Sequence, residues 1–166
     1  MSDTITVFPH PILRKKAEAV HSFDEYLRQL IARMDRVMRL QPSGIGIAAP
    51  QIGVSLQAAI VDVSSRTPKA RKYVLINPQI IDYQEEIINR EGCMSIPDYT
   101  AHVKRYGRIK FLYQDEFGKR HEGSASGIEA ICIQHEVDHL SGKLFIDHVV
   151  SLMRDMIPRP KFTAKR

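Results

Sequence analysis

Long apolar runs are missing from this chain of 166 residues. None approaches the roughly 18 uninterrupted apolar residues that a membrane span needs, so a membrane partner is not expected. The opening, Met1 to Pro11, lacks both the basic-then-apolar order of a secretory signal and the Arg-rich, acid-poor character of a transit peptide. The expected compartment is the cytoplasm. Cysteine is scarce: Cys93 and Cys132 are too few for a disulfide framework, and in a reducing compartment each is core filler, metal ligand or nucleophile. Internal repeats are absent as well.

What is present suits one compact domain. The 43% hydrophobic content over this length supplies one core and is short of two, so residues 1–150 are expected to form a single domain. Residues 151–166 form a basic tail in which Pro158 and Pro160 favour an extended or disordered chain. The net charge of +5 suits weak contact with nucleic acid or a ribosome through basic surface, without a signature of sequence-specific nucleic-acid binding.

Between Ser22 and Leu40, Phe23, Leu27, Leu30, Ile31, Met34, Val37 and Met38 recur at three- and four-residue intervals. That spacing predicts an amphipathic helix, opened by a Ser22/Glu25 capping box and ended by Pro42. Shorter β-like runs follow at Gln57 to Val63, Tyr73 to Ile76, Gln79 to Ile88 and Arg108 to Tyr113. They suggest a mostly antiparallel sheet, hence an α+β class. A second helix is expected to open with a Ser126/Glu129 capping box and to stop at Gly142, which makes Glu129 a helix-start residue.

This second helix carries His135, Glu136 and His139 in an H-E-x-x-H pattern. Four residues advance a helix by about 400°, so both imidazoles fall one turn apart on one face and can reach one divalent ion. Glu136 beside them is suited to take a proton from an activated water. The bland alternative is a pair of ordinary helix histidines.

A catalytic centre with two imidazoles needs a third ligand. No glutamate follows Glu136, and where an extended motif would place a third histidine the chain has Phe145, which excludes two large metalloprotease groups. His148 and Asp147 stay open downstream. Cys132 fails on reach, because an ion midway between His135 and His139 lies ~7.5 Å along the axis from it, against a zinc–sulfur bond of ~2.3 Å. Lining an apolar pocket is its expected role. Cys93 is the best remaining thiolate, although alone it reads as a small buried hydrophobe. Gly92 before it lets backbone approach a ligand closely.

Three separated segments together resemble the peptide deformylase family: Gly44-Ile45-Gly46-Ile47-Ala48-Ala49-Pro50-Gln51, Glu91-Gly92-Cys93-Met94-Ser95, and Gln134-His135-Glu136-Val137-Asp138-His139-Leu140. The likeness extends through Pro11-Ile12-Leu13-Arg14 and Leu75-Ile76-Asn77-Pro78. It implies a peptide deformylase-like fold, with mostly antiparallel sheets around a central metal-binding helix and an N-terminal helix. It also implies that Cys93, His135 and His139 ligate one divalent metal ion, with water in a fourth place and Glu136 as general base and then acid. Fe2+ is the implied metal in the cell, with Zn2+, Ni2+ or Co2+ able to replace it.

The implied reaction removes the formyl group from formyl-methionyl nascent peptides. Gln51 and the Met94 backbone N–H are the implied oxyanion donors. Gly44, Ile45, Gly46 and Gly92 are expected to lie along the peptide, which pairs with the glycine-bearing strand as an added strand. Ile45, Ile128, Ile131 and Cys132 are expected to form the methionine pocket. Position 94 is commonly Leu in the family and is Met here, with the same backbone donor; many bacterial members also carry a long terminal helix that this chain's tail does not resemble. Two other readings stand beside this one: a related enzyme acting on a different formylated or acylated amine, and a basic binding module whose metal is structural.

Overall fold

The computed structural model describes residues 3–160. Its first long helix, α1 (Glu25–Arg39), turns Leu27, Leu30, Met34, Val37 and Met38 inward. They pack on Ile47, Ile52, Ala58 and Ile60, with Phe23 and Ile31 at the margin of that cluster. The start differs from expectation: Asp24, not Ser22, is the N-cap, in extended backbone and accepting from the Leu27 N–H at 3.1 Å. A carboxylate there also meets the positive end of the helix dipole.

The strands are β1 (Gly46–Ala48), β2 (Ala58–Asp62), β3 (Lys72–Cys93), β4 (Ile96–Gln114) and β5 (Arg120–Ser126), paired antiparallel in that order. The expected pieces at Tyr73 and Gln79 are a single strand of 22 residues. Its register shifts between Ile76 and Gln79. There Asn77, at φ +48°, ties its side chain to both backbone groups of Val20 and to Gln114. The run at Arg108 is only the far end of β4, and β5 was not expected at all. Gly123 in β5 lies over the Phe111 ring, where an added Cβ would come 2.4 Å from Cζ.

The second helix, α2 (Gly127–Leu140), lies against β4, β2 and β1. Ala130, Cys132, Ile133, Gln134, Glu136, His139 and Leu140 are all buried, as befits a helix with sheet on several sides. Ser126 occupies the N-cap position, but its side chain makes no capping hydrogen bond, so the expected capping box is not formed. Gly142 ends the helix at φ +71°, where Lys143 N–H reaches back to the Asp138 carbonyl at 2.9 Å.

The tail does not run free up to residue 160. A single turn, α3 (Leu152–Asp155), leads into β6 (Met156–Pro158), which pairs antiparallel with β4 at Tyr99 to Ala101. The rest of the tail, 161–166, lies outside the described residues. No described helix is long and apolar enough to cross a membrane.

Candidate metal centre and active site

Two elements distant in sequence build the centre. The long strand β3 ends at Cys93, and α2 brings His135 and His139 to the same place. One donor atom from each residue falls within 4.8 Å of the other two. Cys93 Sγ lies 3.3 Å from His139 Nε2, although 46 residues separate them. Burial works against ionisation of the Cys93 thiol, yet the charges and hydrogen bonds of His139 and His135 prevail and hold it well below the usual thiol range.

His135 is oriented from behind. Its Nδ1 stands 2.9 Å from Glu91 Oε1, which leaves Nε2 for the centre. Glu91 is itself gripped by Arg105, through Nε at 2.7 Å and Nη2 at 3.0 Å. Arg105 Nη1 reaches Asp138 at 2.5 Å, and Asp138 also meets His148 Nε2 at 2.8 Å. Burial opposes the charge on Glu91, but the hydrogen bonds from His135 and Arg105 outweigh it and lower its pKa to about 2. The opposite shift befalls Arg105: burial disfavours its charge, and Glu91 with Asp138 raises its pKa nonetheless.

This arrangement disposes of the open alternatives for a third ligand. His148 is turned to Asp138, while Asp147 pairs with Arg14 at 2.5 Å and accepts from the Leu144 N–H at 2.9 Å. Neither belongs to the cluster. Cys132 is likewise outside it, its sulfur 3.5 Å from the Ile45 carbonyl and its pKa driven well up by burial and the charge of Glu136.

Glu136 is 3% exposed and lies beside the three donors, with Oε2 unpartnered among the described residues. Burial raises its pKa to about 7 against the pull of His135 and His139. The short helical turn at Ala49–Ile52 supplies Gln51, 1% exposed. Its Oε1 accepts from the Ala48 N–H at 2.9 Å, which aims Nε2 at Ser95 Oγ, 3.1 Å away, and at Cys93 Sγ, 3.5 Å away.

Comparison with known proteins agrees with this geometry. The family profile described as polypeptide deformylase matches residues 2–155. A peptide deformylase of Wolinella succinogenes is 40% identical over 161 residues, covering 95% of this chain and 91% of that protein. The crystal structure of a peptide deformylase from Legionella pneumophila superposes with a TM-score of 0.84 at 40% identity, over 91% of this chain and 88% of that one. One from Synechococcus elongatus, in complex with actinonin, gives 0.84 at 37% identity, over 90% and 81%. The chain belongs to the polypeptide deformylase family. Members are metal-dependent hydrolases that remove the N-formyl group from nascent peptides.

The donor set fits a divalent ion. It combines a sulfur with lowered pKa and two imidazoles, of which that of His139 is buried with its Nδ1 unpartnered among the described residues. A cavity of about 570 Å³ opens onto these donors. Its walls include every residue expected along a deformylase substrate: Gly44, Ile45, Gly46, Gly92 and Met94, with Ile128, Ile131 and Cys132 of α2. The strand β1 is the last of the sheet's path, with one edge paired to β2 and, among the described residues, no strand on the other.

The glycines are explained by close contacts. A Cβ at Gly46 would stand 2.4 Å from Glu136 Oε1 and 2.7 Å from Cys132 Sγ, so the strand must be bare where the helix carboxylate lies against it. At Gly44 the obstacle is the Met38 carbonyl, 2.1 Å away. Gly92 is covered by Arg159, whose Nη2 would be 2.0 Å from an added Cβ.

Sequence reasoning missed two groups near this deformylase site. Arg105 is 3% exposed in the middle of β4, and a lone arginine among Lys104, Tyr106 and Gly107 carries no mark of burial. Arg159 belongs to the segment read as a tail. The first had one usable signal, its place in phase with Ala101 and Val103 on the inner face of β4.

Proposed function

We propose that the chain deformylates formyl-methionyl nascent peptides at this cavity, with Cys93, His135 and His139 holding one divalent ion. The observation that carries the reading is the juxtaposition of three donors within 4.8 Å and a buried carboxylate with an unpartnered oxygen on the same cavity. When bound, the ion supplies an acidified water and polarises the formyl carbonyl. Fe2+ is the proposed ion in the cell, and Zn2+, Ni2+ or Co2+ satisfy the same sulfur and nitrogen donors.

The chain's own groups then have distinct work. Glu136 takes the proton of the attacking water, as its raised pKa near neutrality suits it to do. Attack places negative charge on the former carbonyl oxygen, toward which Gln51 Nε2 and the Met94 N–H donate. Glu136 delivers its proton to the departing amine, so that one water and one formamide give formate and a free N-terminus. Ile128, Ile131 and Cys132 enclose the methionine side chain, while the open edge of β1 binds the peptide backbone and makes recognition tolerant of later residues.

The cytoplasm is the proposed site of action, and the basic surface is proposed to add weak attraction to the ribosome. The test is an anaerobic preparation assayed for formate release from a formyl-Met peptide, with metal content measured in the same sample. Formate should appear from that peptide and far less acid from its acetyl counterpart. A metal-loaded sample that turns over the acetyl peptide as well supports the related-enzyme reading instead; one that releases nothing overturns both.

A further inference from the structure

We propose that Arg159 is a specificity-determining residue that receives a carboxylate from the second or third residue of the peptide substrate. This rests on the deformylase reading of the cavity. Across the sheet at this point, Gly92 of β3 pairs with Thr100 of β4, which pairs with Ile157 of β6. The Arg159 N–H donates to the Asp98 carbonyl at 2.8 Å and anchors the residue just past the end of β6. From there the side chain reaches back over β4 to lie against the bare Gly92 backbone.

That position is one residue from Cys93, and Arg159 lines the same cavity as Gly44, Gly46 and Gly92. The Arg159 guanidinium has no hydrogen bond or ion pair among the described residues, so its donors are available to a guest. Arg66 and Arg90 also line the cavity, which makes its rim cationic. The cavity's own carboxylates do not answer this charge. Glu91 is bound to Arg105 and His135, and Glu136 is buried beside the metal donors.

A peptide with its formyl group at Cys93 and its methionine side chain among Ile128, Ile131 and Cys132 must leave past Gly92. At about 3.3 Å per extended residue, its second or third residue comes under the guanidinium. Arginine holds a carboxylate there with two parallel hydrogen bonds. The carboxylate comes from an acidic side chain or from the free C-terminus of a short peptide.

The holoenzyme and its Arg159→Ala, Arg159→Lys and Arg159→Glu variants are compared on formyl-Met-peptide amides carrying Asp, Asn or Lys at the second residue (formyl-Met-X-Ala) or at the third (formyl-Met-Ala-X), and on formyl-Met-Ala-Ala as acid and amide. Ratios are taken within each protein, so a general loss of activity cancels. The unaltered chain should favour Asp over Asn by about two- to fivefold, mainly through KM. Arg159→Lys should keep most of the preference, Arg159→Ala should lose it, and Arg159→Glu should turn it toward Lys. A preference for the acid over the amide form, lost in the same variants, assigns the subsite to the C-terminal carboxylate as well. Ratios that are unchanged across the variants overturn the inference while leaving the deformylase reading intact. Failure of the unaltered holoenzyme on every formyl substrate overturns both.

Discussion

Glu91 Oε1 lies 2.9 Å from His135 Nδ1, and Glu91 stands only two residues before Cys93 in the same strand. One end of β3 therefore supplies both a candidate metal donor and the group that sets the tautomer of another donor. Replacing Glu91 by Gln keeps the size and removes the charge. We expect metal affinity to fall by roughly 10- to 100-fold, as for other carboxylates behind a ligating imidazole. Competition with a chelator measures it, and an unchanged affinity refutes the role.

The same carboxylate has a signature in stability. Its pKa is about 2 in the folded chain against 4.5 ordinarily, so its contribution is whole above about pH 4.5 and is lost as pH falls toward about 2. Metal-free Glu91→Gln protein should be less stable than the unaltered chain near neutrality. The gap should narrow on acidification from roughly pH 5 to pH 3, because only the unaltered chain has this group to protonate. Urea unfolding across that range reads the gap; a constant difference contradicts the assignment.

Glu136→Gln tests the proton carrier. Formate release should drop by roughly 10²- to 10⁴-fold with the metal content unchanged. In the unaltered enzyme the pKa of about 7 sets an upper bound on the acid limb, since a cation nearby favours the carboxylate. Activity, plotted as kcat/KM against pH, should thus rise to a plateau that begins at or below neutrality. An acid limb centred well above pH 7 assigns the proton step to another group.

Gly46→Ala probes the bare strand. The new methyl would press on Glu136 Oε1 and Cys132 Sγ, and the carboxylate must move. A shift of about 1 Å in such a group costs on the order of 100-fold in rate. The loss should appear in kcat together with a lowered thermal midpoint, since overpacking against these buried groups costs about 1–3 kcal/mol, and a variant with full kcat removes this explanation of the glycine.

Different parts of this molecule were legible for different physical reasons. The stripe from Leu27 to Met38 follows from helical periodicity alone, and the two imidazoles of α2 follow from the turn of a helix. The three motif segments pointed to the family, and the structure brings those segments together around one cavity. The long β3–β4 hairpin was seen only in pieces. Residues 101–107 alternate between buried and exposed, but 97–99 are all exposed, and Pro97, Gly107 and several charged residues mask the pattern; pairing with the neighbouring strands overrides these weak propensities. The strand β5, Arg-His-Glu-Gly-Ser-Ala-Ser, offers almost no apolar side chain, and at Gly123 the space a side chain would take is filled by Phe111. Only its phase with Ala101 and Val103 marks Arg105 in the sequence, because its partners, Glu91 and Asp138, come from other elements.

The 46-residue separation of Cys93 and His139 has a consequence for how the chain matures. In the proposed ligation, all of β4, all of β5 and α2 as far as His139 must be made and in place before sulfur and imidazole can share an ion. An unfolded chain has no preformed site for that ion, so binding at the proposed site favours the native state. On that proposal, metal supply is a determinant of how long the finished enzyme survives heat or proteases.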